Sequence, residues 1–272
     1  MPPLHPSPAP AAADGWSTIS VAGHPCTLYT PPRPLPGRAL IYLHGLDGGD
    51  DRSPPASAGL RAALEAAGLP TLAPCTGRSW WLDRIMPAFD ATRTPERFVI
   101  EPVRAEIASR FGVGPPGIAL IGTGMGGQGA LRIAYRHPGL FPVAAAVAPA
   151  IDYHLAMRDC DIRQDGALYD TLWETYADVE RARQDTAILH VHPLNWPRHQ
   201  WFASEPDDVA WHDGAVRLAS KLRALGIPHT ALLERTSPAA GGRVATAAAA
   251  DRHVAAVRFV LDALDQESRR LS

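Results

Sequence analysis

Several features that mark whole classes of protein are scarce or missing in this sequence. Its 272 residues include three cysteines, Cys26, Cys75 and Cys160. They are far apart, odd in number and without metal-ligand spacing, which speaks against a disulfide framework and against a zinc site. They read as free thiols in a reducing compartment, and Cys160, in "RDCDIRQD", has no base assignable to it. The formal net charge is only -2 and no basic run occurs, so no field is present that would draw nucleic acid or an anionic membrane. No apolar run reaches membrane length. The opening "MPPLHPSPAPAAADG" lacks Lys, Arg and a signal-type apolar stretch. The expectation is a cytoplasmic protein whose partner is a small, partly apolar molecule, with no nucleic acid, no membrane and no cofactor.

What is present is the material of one large globular domain. Hydrophobic residues make up 46% of the chain and charged residues 20%, enough apolar surface for a sizeable core. The domain is expected over residues 16–272, behind a loose Pro/Ala-rich start at 1–15. The β-type runs "WSTISVAG" and "HPCTLYTPP" precede the buried-type strand "RALIYLHG". "SAGLRAALEAAGL" has helical spacing and closes at a glycine. The strand "PTLAPCT", the helix "TPERFVIEPVRAEIASRFG", the strand "GIALIG", the helix "GALRIAYRHP" and the strand "VAAAVAPAID" follow. This alternation predicts an α/β protein, a mostly parallel sheet with helices on both faces. Residues from about 152 to 197 break the rhythm and read as a small lid-like insertion. "QWFASEP", "GAVRLASKLRALG", "HTALLER" and a long final helix then restore it.

The stretch "LIGTGMGGQGAL", residues 120–131, holds the chemistry. Gly122-Thr123-Gly124-Met125-Gly126 follows a predicted strand and opens a helix, the context of a nucleophile elbow, in which small neighbours relieve crowding around a strained tip. With "YLHGLDGG" (42–49), "SWWLDRIMPAFD" (79–90), "FPVAAAVAPAID" (141–152) and "EPDDVAWHDG" (205–214), this frame resembles the α/β-hydrolase superfamily, in its esterase D, antigen 85 and formylglutathione-hydrolase-like branch. The resemblance extends over most of residues 38–265. It implies an α/β-hydrolase fold, a nucleophilic serine at the elbow tip, where this chain has Gly124, and an oxyanion hole from the backbone N–H groups of Leu46 and Met125. His44 and Gly45 then shape the oxyanion loop, His44 as a structural residue. The acid position falls on Asp208, with Asp207 the near alternative. Both can instead cap the following helix. The base position falls on Arg243, where relatives carry Gly-Gly-His, and a guanidinium that stays protonated cannot accept the nucleophile's proton.

Other residues are candidates for the missing roles. Thr123 lies one residue before the tip and is expected to point to the other side of the turn. Ser79, Trp80, Trp81 and Trp211 are assigned to the pocket together with His44 and Gly45, with Trp196 nearby. The hydroxyl of Ser79 has no identified base, and the tryptophans either wall the pocket or pack in the core. His253, inside the final helix, reads as a surface or core histidine. His190, His192 and His199 raise a metal site only if His190 and His192 share one face of a strand, and no metal is expected. The expected protein is an esterase-like homologue with a degenerate triad, non-hydrolytic or very weakly hydrolytic, that keeps a small-molecule pocket. Two alternatives stay open: an enzyme of altered chemistry, in which Arg243 with Asp208 binds an anionic group, and an active carboxylesterase with an unrecognised nucleophile.

Overall fold

The computed structural model describes residues 15–46, 58–159, 166–208, 210–234 and 243–270. The strands β1 (Trp16–Val21), β2 (His24–Tyr29), β3 (Ala39–Leu43), β4 (Thr71–Pro74), β5 (Ile118–Thr123), β6 (Val143–Val147), β7 (His199–Ala203) and β8 (Thr230–Leu232) form one sheet. Their order is β1, β2, β4, β3, β5, β6, β7, β8. The hairpin β1/β2 and the β2/β4 pair are antiparallel, and every later pair is parallel. Strands β3, β4 and β6 are buried along their whole length, as expected where both faces of a parallel sheet are covered.

Alternation along the strands divides the core in two. On one face Ile41, Leu43 and Leu120 meet α4 (Met125–Arg136), α8 (His212–Ala224) and the helical stretch from Pro95 to Phe111. On the other, Leu40, Tyr42, Ala119 and Ile121 pack against α1 (Ala58–Ala67) and α9 (Arg243–Arg270). The stretch expected as one helix is α2 (Pro95–Phe98), a π-helical turn at Val99–Val103 and α3 (Arg104–Phe111). Pro102 lies inside the turn; it has no N–H to give the regular ladder, and the widened turn accommodates it.

Helix α4 begins at Met125, four residues before the expected start. Its first turn is glycine-rich, a poor local helix former, so packing rather than propensity sets this boundary. A Cβ on Gly122 would overlap the backbone of Gly126, and one on Gly126 would overlap the carbonyls of Leu43 and His44. Further along, Gly129 leaves the seat for the Trp81 side chain. The result is that β3, β5 and α4 meet almost backbone to backbone.

The segment expected as an insertion carries α5 (Tyr153–Asp159), α6 (Gly166–Thr175), α7 (Val179–Asp185) and a 3-10 turn at Ala187–His190. Its Tyr153, Leu172, Tyr176, Ala182 and Ala187 belong to the α4-side core. Two buried side chains of α4 latch it in place. Gln128 Oε1 accepts the Ala187 N–H at 2.6 Å, and Arg132 Nε donates to the Asp185 carbonyl at 3.1 Å. Arg132 also pairs with Glu96, which further accepts from Arg136 Nε at 3.0 Å and bonds His137 Nε2 at 2.8 Å. Arg132 and Glu96 are both almost fully buried, so each charge depends on the other for solvation.

The glycine packing generates a stability prediction. Gly126→Ala should lower the unfolding free energy by about 3 kcal/mol or more, since the overlapping atoms are backbone and cannot rotate away. Gly114→Ala, whose Cβ meets nothing within 4 Å, should change it by no more than about 0.5 kcal/mol. Urea unfolding of the two variants checks this, and similar midpoints would refute the packing account.

Candidate active site

The elbow is built where β5 runs into α4. Gly124, at the tip, has φ 54° and ψ -117°, a region that a residue with a Cβ enters only under strain. Its N–H donates to the Val147 carbonyl at 3.0 Å, and its own carbonyl accepts from Ala150 N at 3.0 Å and Gln128 N at 3.1 Å. A Cβ built on Gly124 meets no atom within 4 Å. The tip therefore faces open space, and Gly124 itself is held by main-chain bonds.

The loop after β3 lies against this turn. A Cβ on Gly45 would come within 3.1 Å of the Thr123 carbonyl oxygen, so the loop and the elbow touch main chain to main chain. Leu46, half-buried, packs on the α4-side core, and Met125 is buried. The structure thus brings together the two backbone segments expected to supply oxyanion donors. His44 is held at both ring nitrogens. Its Nε2 accepts the Thr76 N–H at 3.2 Å, which puts the proton on Nδ1, 2.7 Å from the Gly45 carbonyl. Burial keeps its pKa below the ordinary histidine value.

Ser79, Trp80 and Trp81 form a tight turn beside the elbow. The Ser79 hydroxyl bonds Thr76 Oγ1 at 2.8 Å and accepts the Trp81 N–H at 3.3 Å. Trp80 and Trp81 have φ of 53° and 56°, and neither indole has any exposed surface. This corrects their assignment as pocket walls: they are core residues behind the elbow. Trp81 fills the seat above Gly129 and donates through Nε1 to the His44 carbonyl at 3.2 Å. Trp80 lies on the Tyr153 ring, at 4.8 Å between centroids, and its backbone N–H donates to Met125 Sδ at 3.3 Å. Trp196 and Trp211 are half-buried against the same core.

At the expected acid position, Asp208 Oδ2 accepts from Glu205 N at 2.7 Å, Arg252 Nη1 at 2.9 Å and Ser204 Oγ at 3.1 Å. It is the Asp208 carbonyl, not its side chain, that accepts the N–H groups of Trp211 and His212 at the start of α8. Asp207 is exposed. Arg243 is the first residue of α9; its side chain, like Gly241 and Gly242 before it, lies outside the described residues. The cation on Asp208 is Arg252, a residue that sequence reasoning missed. Its neighbour His253, almost fully buried, places Nε2 2.9 Å from Thr123 Oγ1. Tyr42 Oη donates to the same Thr123 oxygen at 3.2 Å. In the sequence Thr123 and His253 stand apart, and no local pattern announces a contact across 130 residues of chain.

The shared strand face imagined for His190 and His192 does not exist. His190 ends the 3-10 turn, His192 is exposed in the following loop, and His199 opens β7, bonded to Glu267 at 3.0 Å. Among the described residues no group of three or more His, Cys, Asp or Glu side chains is placed to hold a metal ion. Cys26 is a buried thiol outside any disulfide whose pKa burial pushes up to about 12, Cys75 is a half-buried thiol likewise outside any disulfide, and Cys160 lies outside the described residues. Among the described residues no helix is long and apolar enough to cross a membrane.

This sheet order and elbow are those of an α/β-hydrolase. The model of the Esterase family ("Putative esterase") matches residues 25–218, and the chain belongs to that family. No curated protein sequence matches significantly. Among solved structures, S-formylglutathione hydrolase from Agrobacterium tumefaciens is similar at 18% identity and a TM-score of 0.66, covering 96% of this chain and 98% of its own. Mycobacterium tuberculosis MPT51 matches at 15% identity and a TM-score of 0.57, over 89% of this chain and 98% of its own. The fluorophosphonate-binding serine hydrolase F of Staphylococcus aureus matches at 13% identity and a TM-score of 0.54, over 86% and 92%.

Histidine burial gives a pH prediction. His44 is held below its ordinary pKa by burial, and His190 is lowered to about 4 by burial and then by Arg132 and Arg136. The unfolded chain therefore takes up protons first. The stability these neutral rings contribute is complete above about pH 6.5 and is lost as pH falls toward the folded values. The urea midpoint should drop between pH 7 and pH 5, less steeply in His190→Gln. Equal slopes in the two proteins would refute the contribution of His190.

Proposed function

We propose that the protein is an esterase homologue that has given up the serine acyl-enzyme route and keeps its elbow as a site for a small, partly apolar molecule, with at most slow ester cleavage. The observation that carries this reading is Gly124. The elbow backbone is fully formed around it, yet the tip offers no side chain, and open space stands where one would project. Two further features support it. Arg243 occupies the sequence position of the family's histidine, and a guanidinium does not act as a base near neutral pH. The Asp208 carboxylate is already engaged by Arg252.

Backbone oxyanion donors do not depend on the side chain at the tip. Serine proteases stripped of triad residues still accelerate their reactions by about 10³ to 10⁴ over water through binding and oxyanion stabilisation. A comparably slow turnover is the expected ceiling here, with no acyl group on position 124.

Turnover of p-nitrophenyl acetate by Gly124→Ser and by Gly124→Ser/Arg243→His tests the reading. The single variant should gain little, because position 243 still supplies no base to the new hydroxyl, whereas the double variant should hydrolyse the ester measurably faster. Equal rates in both would refute Arg243 as the base position. Rapid turnover by the unmodified protein would refute the loss of function. The serine also enters a strained backbone region, so Gly124→Ser should be less stable by about 1 kcal/mol, read as a lower melting temperature.

A further inference from the structure

We propose that Thr123 and His253 form the reactive pair of this site, Thr123 Oγ1 taking the acyl group of a carboxylic ester with His253 as its base. The inference rests on the reading that the elbow still binds such molecules, and it assigns the slow chemistry left there.

Ala119, Ile121 and Thr123 share the α9-side face of β5. The five residues from Ile118 to Gly122 are buried, and Thr123 alone in the strand keeps some exposure. Its hydroxyl lies 2.9 Å from His253 Nε2, within reach for proton transfer. A threonine hydroxyl has one proton and two acceptor sites. The Tyr42 O–H fills one acceptor site at 3.2 Å, and in the tautomer with the His253 proton on Nδ1 the threonine's own proton points at Nε2. Next along the chain, Gly124 adds no side chain to screen the approach, and a Cβ there would meet nothing within 4 Å. Arg252, the residue before His253, ties α9 to Asp208 at 2.9 Å, so the helix turn carrying the base is anchored to the acid loop as well as to the elbow strand.

The steps balance without a cofactor. Thr123 Oγ1 attacks the ester carbonyl carbon as its proton passes to His253 Nε2, and the carbonyl electron pair moves onto oxygen. Collapse of this intermediate breaks the bond to the alcohol oxygen, which leaves with the proton from Nε2. The products are free alcohol and a threonyl ester. Water then attacks that ester and gives a proton to Nε2. That proton returns to Thr123 Oγ1 as the carboxylic acid departs.

The test uses full-length protein and p-nitrophenyl acetate. Rates are compared for the unmodified chain, Thr123→Val, Thr123→Ser, His253→Gln and Leu46→Pro, the last of which removes one expected oxyanion N–H. Acid-quenched samples are digested and the peptide spanning Thr123 is searched for an acetyl group. Thr123→Val keeps the side-chain shape, and an unchanged melting temperature shows that it folds. The expected result is a loss of about a hundredfold in Thr123→Val and His253→Gln, retention in Thr123→Ser, and acetyl on Thr123 in the unmodified protein. Unmodified rates in Thr123→Val beside a reduced rate in Leu46→Pro would overturn the pair and leave the retained site standing. Equal rates in the unmodified protein and Leu46→Pro would overturn both.

Discussion

Where Gly122, Gly126 and the Leu43–His44 carbonyls meet, there is no room for one more carbon atom, and the arrangement of the whole upper edge of the sheet follows from that contact. Because β3, β5 and α4 touch through main chain, the loop after β3 is drawn against the elbow and Gly45 comes to rest on the Thr123 carbonyl. Trp81 can then reach over Gly129 and bond the His44 carbonyl. A bulky side chain at any of these glycines would push α4 outward and separate the backbone segments that define the site.

The final helix contributes a second kind of control. From the opposite face of the sheet, adjacent residues of α9 reach two separate parts of the site, Arg252 the acid loop and His253 the last residue of β5. The arginine brings a charge that the carboxylate of Asp208 balances, and the histidine brings a ring bonded to a hydroxyl. Burying such groups is favourable only while these bonds are made. The register of α9 on the sheet is therefore fixed by polar bonds as well as by Val257, Val260 and Leu264.

The fold was legible because its signals are local. Strand-length apolar runs punctuated by glycines mark the parallel sheet, and the Gly122, Gly124 and Gly126 spacing marks the elbow. Less legible were the features decided by distant partners. The start of α4 lies in a glycine-rich turn that only packing makes helical, and Pro102 is absorbed by a π turn instead of ending a helix. Trp80 and Trp81 resembled a pocket lining in sequence, yet the seat that buries Trp81 belongs to Gly129. Of the candidate site, Gly124, His44 and Asp208 are named by motif position. Arg252 and Tyr42 were missed because a residue's place on a long helix or buried strand does not say what it will face.

The Trp80–Trp81 turn also bears on how the elbow is supported. Two successive non-glycine residues in the left-handed region cost about 1–3 kcal/mol each, so the isolated segment scarcely populates the conformation. Its compensating contacts are Gly129 and Met125 on α4 and Tyr153 on α5, all of which come later in the chain. The turn is therefore held by tertiary contacts and not by local preference, so any change that loosens α4 or α5 also removes what keeps these two residues in their strained conformation, directly behind the elbow.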